Sequence, residues 1–321
     1  MLRHIAGVLG GHAWTILADA RHRVQPVEVP ASTAWALDVP GTAGDTARLT
    51  GHYARSADER DAVLIVHGLG GSSQSGYCRG LAKAAADRGW SSLRIDLRGA
   101  NGDGEDVYHA GLAQDLRAAL RSPELARHET LHVVGVSLGG HATLRLALEP
   151  LEQLKAVVAV SAPLDLATSC EAIDRTRAFP YRHHVLGALK DAYLAVVDRH
   201  GSGPRVPSSW ETVDAVRTIR DWDRTVVVPR FGFTDVTDYH RSMSVGPHLR
   251  DLACPALYVG SPFDPMVPGP AVLPSLNAAG ESLRTVMLDR GGHVGLPAPQ
   301  LSSHAPPTLP AQLLAWLADP R

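Results

Sequence analysis

At 321 residues, with 45 % apolar and 20 % charged residues, the chain has ample material for a buried core and no signature of disorder, collagen or a coiled coil. A formal charge of -2 with scattered Lys and Arg excludes the electrostatic footprint of a nucleic-acid binder. Three widely spaced cysteines, Cys78, Cys170 and Cys254, form no disulfide framework, and 16 histidines show no metal-ligand spacing; small core or boundary thiols in a reducing compartment, and neither metal nor cofactor, are expected.

Residues 5–17 are fairly apolar and follow Arg3, and Ala18-Asp19-Ala20 mimics a small-residue cleavage site. The stretch is short and broken by Gly10, Gly11 and His12, so a signal peptide is the lesser expectation. No run of about 18 apolar residues occurs, so no transmembrane helix is expected. Residues 24–54 read as short strands between Pro and Gly turns.

From Asp61 the pattern alternates. The apolar run 62–66 (AVLIV) predicts a strand covered on both faces, 75–89 a helix, and 91–96 a strand. Over 111–122, Leu112, Leu116 and Leu120 recur at i, i+4 and i+8 and predict one apolar helical face. Strand 131–136, helix 138–149 ending at Pro150, and strand 155–160 follow. This alternation predicts an α/β fold with a mostly parallel sheet and helices on both faces.

The alternation stops over 163–250, where helix-like pieces are broken by Pro, Gly and Ser. Eight aromatics fall here: Phe179, Tyr181, Tyr193, Trp210, Trp222, Phe231, Phe233 and Tyr239. We read this stretch as an inserted helical cap, with 1–162 and 251–321 as the two parts of one core. The aromatics suit either a dry pocket wall or the cap's own small core. Strand 256–259, a helix near 271–279, strand 284–289 and a helix over 310–318 complete the expected order.

Gly135-Val136-Ser137-Leu138-Gly139 is a G-x-S-x-G motif that follows a predicted strand and opens a helix, the context that gives it meaning. Such a turn raises a serine hydroxyl as a nucleophile, which then needs a base and an orienting acid. In the chain order Ser, acid, His, the candidates are Asp264 after strand 256–259 and His293 after strand 284–289. Asp289 and His304 are the competing acid and base. The mechanism also needs backbone donors for an oxyanion. Leu138 follows the serine, and the glycine-rich run His67-Gly68-Leu69-Gly70-Gly71 makes Leu69 the second expected donor.

With these segments in hand, the chain resembles the YheT-like branch of the α/β-hydrolases, related to esterase and lipase-like proteins. The resemblance rests on H-G-L-G-G-S-S-Q-S-G-Y at 67–77, D-L-R-G-A-N-G at 96–102, Tyr108-His109-Ala110-Gly111, G-V-S-L-G-G at 135–140, F-G-F-T-D-V-T-D-Y-H at 231–240 and G-G-H-V-G at 291–295. G-H-A-W-T-I-L at 11–17 also resembles an N-terminal motif of the family, which favours a retained N-terminus. The resemblance implies a Ser137–Asp264–His293 hydrolase of carboxylic esters, acyl or lipid-like, acting through an acyl-enzyme. Family members often carry an acidic pair where this chain has Phe263-Asp264, and only the second acid stands here. Asp96 is expected to brace loops near the sheet, and Tyr108 and His109 carry no assigned role.

An acyltransferase would use the same residues with an alcohol as acceptor, and a binding-only protein would ordinarily have lost the Ser or the His. A small-molecule ester is the expected partner, the cytoplasm the expected location. Peripheral membrane contact is left open for a lipid substrate, though no polybasic face supports it. Oligomeric state is not legible.

Overall fold

The computed structural model describes residues 7–17, 27–41, 44–175 and 178–320. Its strands are β1 (Thr33–Pro40), β2 (Thr46–Ala54), β3 (Asp61–Val66), β4 (Ser91–Asp96), β5 (Thr130–Val136), β6 (Leu154–Val160), β7 (Ala256–Gly260) and β8 (Leu283–Met287). They form one sheet in the order β1-β2-β4-β3-β5-β6-β7-β8. β1 and β2 run antiparallel to each other, β2 runs antiparallel to β4, and every other pairing is parallel. The predicted strands of 24–54 are thus a two-stranded antiparallel edge, with residues 24–26 outside the described residues.

The helices of the core are α1 (residues 7–17), α2 (Gly76–Asp87), α3 (Ala113–Leu120), α4 (Pro123–Ala126) and α5 (Leu138–Leu146). Side chains alternate across the pleat, so Val63 and Ile65 enter one core while Leu64 and Val66 enter the other. That two-sided burial is why β3 reads as an unbroken apolar run rather than an alternating one. Leu81 and Ala85 of α2 cover the first face, and Leu116, Leu144 and Leu146 cover the second. The predicted helix over 111–122 is shorter than expected. Leu112 is its N-cap, and a second short helix starts at Pro123, whose missing N–H and fixed φ suit a first helical turn.

Between β6 and β7 the described residues hold no strand. They form α6 (Leu166–Asp174), α7 (Phe179–His200), α8 (Trp210–Asp214), α9 (Ile219–Trp222), a π-helical turn (Asp223–Val227), α10 (Val228–Phe231), α11 (Val236–Met243) and a 3-10 turn (Gly246–His248). The short pieces follow from the sequence. Asp165, Ser209, Thr218 and Asp235 each accept a backbone N–H and start a new helix. Pro229 cannot donate to the turn before it, and the Thr225 carbonyl instead accepts from Ser208 Oγ (2.7 Å). After β7, α12 (Gly269–Asn277) precedes β8, and α13 (Leu309–Ala318) packs beside α2 through Leu313, Leu314 and Leu317.

A charged pair binds the helices between β6 and β7 to the loop after β4. Arg230 of α10 donates through Nε and Nη2 to both carboxylate oxygens of Asp106, at 2.8 and 2.7 Å, in full burial. Beside it, Arg98 makes a two-pronged bond to Asp115, at 2.7 and 2.6 Å. Among the described residues no helix is long and apolar enough to cross a membrane. Among the described residues the large exposed apolar side chains are Leu9, Trp14, Ile16 and Leu17, all on α1, and Leu273.

Candidate active site

Ser137 sits between β5 and α5 with φ 53° and ψ -122°, in a region that L residues avoid. The flanking glycines make the turn possible. A Cβ on Gly135 would lie 2.2 Å from Gly139 O, and one on Gly139 would lie 2.3 Å from His67 O. The Ser137 N–H still donates to Val160 O (2.8 Å), so the strained residue remains tied to the sheet.

Asp264 and His293 follow β7 and β8, and the parallel sheet carries both to the strand ends beside Ser137. Ser137 Oγ–H donates to His293 Nε2 at 3.0 Å. His293 Nδ1–H donates to Asp264 Oδ2 at 2.9 Å, the tautomer that an acceptor-only carboxylate requires. Asp264 Oδ1 accepts from the amides of Met266 (2.8 Å) and Val267 (2.9 Å). Both residues are buried, whereas Asp289 and His304 are exposed.

The loop after β3 supplies amides. Gly68 N–H donates to Tyr77 Oη (3.0 Å), Gly70 N–H to Tyr108 Oη (2.8 Å) and Gly71 N–H to Gly68 O (3.1 Å). Among the described residues no acceptor takes the Leu69 amide between them. Leu69, Leu138, Ser137 and His293 all border one cavity of about 100 Å³. Burial pushes the Tyr77 and Tyr108 phenols up, so both keep their protons.

The comparisons with known proteins agree with this architecture. A model of the alpha/beta hydrolase fold matches residues 61–182. A candidate esterase of Escherichia coli called YheT is 29 % identical over 74 % of this chain and 71 % of its own. A monoacylglycerol lipase of Saccharomyces cerevisiae is 22 % identical over 86 % of the chain, and phospholipase ABHD3 of Bos taurus is 22 % identical over 76 %. The chain spans 63 % and 60 % of those last two proteins, less than two thirds of either. Among solved structures, a 2,6-dihydroxy-pseudo-oxynicotine hydrolase superposes with a TM-score of 0.58 at 18 % identity, covering 95 % of this chain and 72 % of its own. The Penicillium hydrolase GrgF superposes with a TM-score of 0.54 at 18 % identity, covering 82 % and 91 %.

The fold is that of the α/β-hydrolases, and the chain is similar to YheT over most of its length. Several contacts in this α/β-hydrolase fold were not legible in the sequence. The His293 loop is pinned from two sides: its own amide donates to Thr15 Oγ1 (2.8 Å), and the Val294 amide donates to Ser161 Oγ (3.3 Å). Thr15 belongs to α1, so the 11–17 motif packs against the loop that carries the histidine. A Cβ on Gly11 would lie 2.0 Å from Phe263 O, and one on Gly292 would lie 2.1 Å from Gly11 O, which is why three backbones can meet there. Ala18-Asp19-Ala20 lies outside the described residues.

Asp96 braces the loop before α2, accepting from Ser73 N (2.6 Å) and Ser73 Oγ (3.0 Å). His67 Nε2 accepts from Leu97 N (3.0 Å), so its Nδ1–H donates to Gly68 O (2.7 Å). Tyr108, which had no assigned role, holds the Gly70 amide. His109 packs against Phe231, Phe233 and Tyr239 at 4.3 to 5.6 Å. Burial, with Arg98, Arg145 and His141 nearby, lowers its pKa to about 3, so the ring is neutral.

The helices between β6 and β7 line one side of the cavity. Trp222 and Tyr239 line it, while Tyr193 packs edge-on to Trp222 at 6.1 Å. The aromatics therefore serve as both pocket wall and core of the insertion; the side chain of Phe179 lies outside the described residues. Cys78 and Cys170 are buried and Cys254 half-buried, all free. Cys170 packs in the core, as expected, and also borders the cavity. Its ligand atom and those of Asp223 and His240 lie within 4.8 Å of one another, a grouping that no sequence spacing announced. Burial pushes the Cys170 thiol up, and its S–H points at Asp174 Oδ2 (3.6 Å). His240 Nε2 lies 2.8 Å from Asp223 Oδ2. Cys170, Asp223, His240 and Asp174 thus form one hydrogen-bonded cluster beside the cavity.

Proposed function

We propose that the chain is a serine hydrolase of carboxylic esters, with Ser137 as nucleophile, His293 as base and Asp264 as the acid that orients it. The observation that carries this reading is the unbroken contact chain from Asp264 Oδ2 through His293 to Ser137 Oγ, at 2.9 and 3.0 Å, opening on an apolar cavity.

In this reading Ser137 Oγ attacks the ester carbonyl as its proton passes to His293 Nε2. Asp264 keeps the ring in the accepting tautomer and stabilises the imidazolium that forms. The carbonyl oxygen gains negative charge, and the Leu69 and Leu138 amides donate to it, each worth about 3 kcal/mol of barrier. His293 then protonates the leaving alkoxide. Water, deprotonated by the same ring, releases the acid from the acyl-enzyme. The relatives named as esterase, lipase and phospholipase support an ester substrate.

A fluorophosphonate probe and a p-nitrophenyl ester series from acetyl to palmitoyl test the reading. Labelling and turnover are expected in the wild type and absent from Ser137→Ala. Equal labelling or turnover in the folded variant would remove Ser137 from the role.

A further inference from the structure

A second cavity, of about 220 Å³, lies beside the one that holds Ser137, and His109 is the single residue that borders both. The imidazole itself stands between them. Its ring centre is 5.6 Å from that of Tyr239, which borders the first cavity. It is 4.3 Å from Phe231 and 5.5 Å from Phe233, which border the second. On the far rim of the second cavity Pro40 and Gln114 are exposed, so that space leads toward solvent.

The partition is held in place. Gly111 N–H donates to His109 Nδ1 (3.1 Å), and Ala110 N–H donates to Tyr239 Oη (3.2 Å). Gly111 also makes room for the ring, since a Cβ there would lie 2.8 Å from His109 Cε1. Because Nδ1 accepts, the neutral ring carries its proton on Nε2. That nitrogen has no partner among the described residues, and it is not one of the unpaired polar atoms sealed from solvent, so the ring edge borders open space. His109 follows Tyr108, whose hydroxyl holds the Gly70 amide, and this ties the partition to the loop that carries Leu69.

A close-packed wall stops an apolar chain at the first side chain that will not move, because forcing further methylenes past it costs strain. We propose that the His109 ring is the end wall that limits the length of the substrate's apolar arm, and that the second cavity is the space a longer arm enters once the ring is made smaller. This rests on the serine-hydrolase reading of Ser137. His109 takes no part in the bond-making steps; it sets specificity by volume.

The test uses two ester series: p-nitrophenyl esters from acetyl to dodecanoyl, which lengthen the acyl arm, and alkyl acetates from ethyl to dodecyl, which lengthen the alcohol arm. In the wild type the series whose arm fills the cavity shows a cut-off, with kcat/KM falling about tenfold or more per added carbon beyond it. His109→Phe keeps the wall and is expected to keep that cut-off. His109→Leu, His109→Val and His109→Ala should move it to progressively longer chains. Esters just past the wild-type cut-off should gain about tenfold or more relative to the shortest ester in the same variant. Adding Gln114→Trp, which fills only the second cavity, should bring the cut-off back in the alanine background. The graded variants keep the test readable if the alanine variant does not fold. Absence of a wild-type cut-off in both series overturns the end wall, as does a cut-off that stays in place in the leucine and valine variants. So does a shift that Gln114→Trp fails to reverse, which would mark general loosening. Each of these results with turnover that depends on Ser137 sinks this inference alone. If the folded wild type turns over no ester in either series, the serine-hydrolase reading fails with it.

Discussion

In the sheet, β3, β5, β6 and β7 are almost entirely buried, and nearly all their side chains are aliphatic. In the insertion and the loops it covers, burial extends to charge: Arg230 against Asp106, Arg98 against Asp115, and Asp223 against His240. The first region gains stability from apolar area, which is non-directional and tolerates small shifts. The second depends on paired charges, for which loss of one partner leaves the other stranded in a low dielectric. In the proposed function the strand ends fix where chemistry is held, through backbone geometry, while the helices between β6 and β7 fix what reaches it, through side-chain pairs.

The largest expected effect lies on the sheet side. Ser137→Ala and Asp264→Asn should each lower kcat/KM by on the order of 10⁴-fold or more, measured on a short p-nitrophenyl ester, with little change in melting temperature. A variant that retained turnover would show that the strand-end residues do not hold the chemistry.

Next comes the buried pairing. Arg230→Met removes the two-pronged partner of buried Asp106, leaving Arg98 Nη1 at 3.7 Å, and is expected to cost about 3 kcal/mol in urea unfolding. Leu64→Ala in β3 should cost about 2–5 kcal/mol by making a cavity. The two separate by rescue: Arg230→Lys keeps a cation facing Asp106 and should recover part of the loss, whereas Leu64→Ala has no charge to regain. Equal behaviour would erase the contrast between the regions.

Acid sharpens the contrast further. Burial lowers the pKa of His132 from 6.5 to about 4, of His141 to about 4 and of His109 to about 3. The unfolded chain then takes up these protons at higher pH than the folded one. Stability is full above about pH 6.5 and is lost as pH falls toward 4, by up to about 3 kcal/mol per ring. His132 belongs to the sheet, stacked on Trp90 at 4.6 Å. His141 faces the carbonyls of Pro163 and Met243, at the two ends of the insertion (both 2.8 Å). Unfolding at pH 7 and 4.5 for His132→Gln and His141→Gln should flatten the slope in each; an unchanged slope in either would remove that ring from the acid response.

The smallest effect expected is at Tyr108→Phe. Losing the acceptor for the Gly70 amide loosens the loop that presents Leu69. A fall of about tenfold in kcat with little change in KM is expected, whereas a change confined to KM would point to substrate contact instead.

The helix and strand order, the G-x-S-x-G turn and the chain order Ser, Asp, His were open to reading because each depends on near neighbours in sequence. Strand ends lie within a few residues of Ser137, Asp264 and His293, and Gly135 and Gly139 flank the serine directly. The role of Tyr108 was not open to reading, since its partner Gly70 is 38 residues away. Nor was the meaning of the 11–17 motif, whose Thr15 meets the His293 amide across 278 residues. The choice of His293 over His304 and of Asp264 over Asp289 rested on position after a strand; the structure adds that both rivals are exposed.

The sequence by itself determined the alternation of elements, the apolar middle of the sheet and the tight turn at Ser137, because periodicity, side-chain volume and glycine sterics act over a few residues. Only the tertiary structure decided which amides stay unpaired, how α1 meets the His293 loop, and that Ser169, Asp223 and His240 share one wall. Those contacts join segments far apart in the chain, and their energies come from distances and burial that exist only once the sheet has brought the loops to one edge.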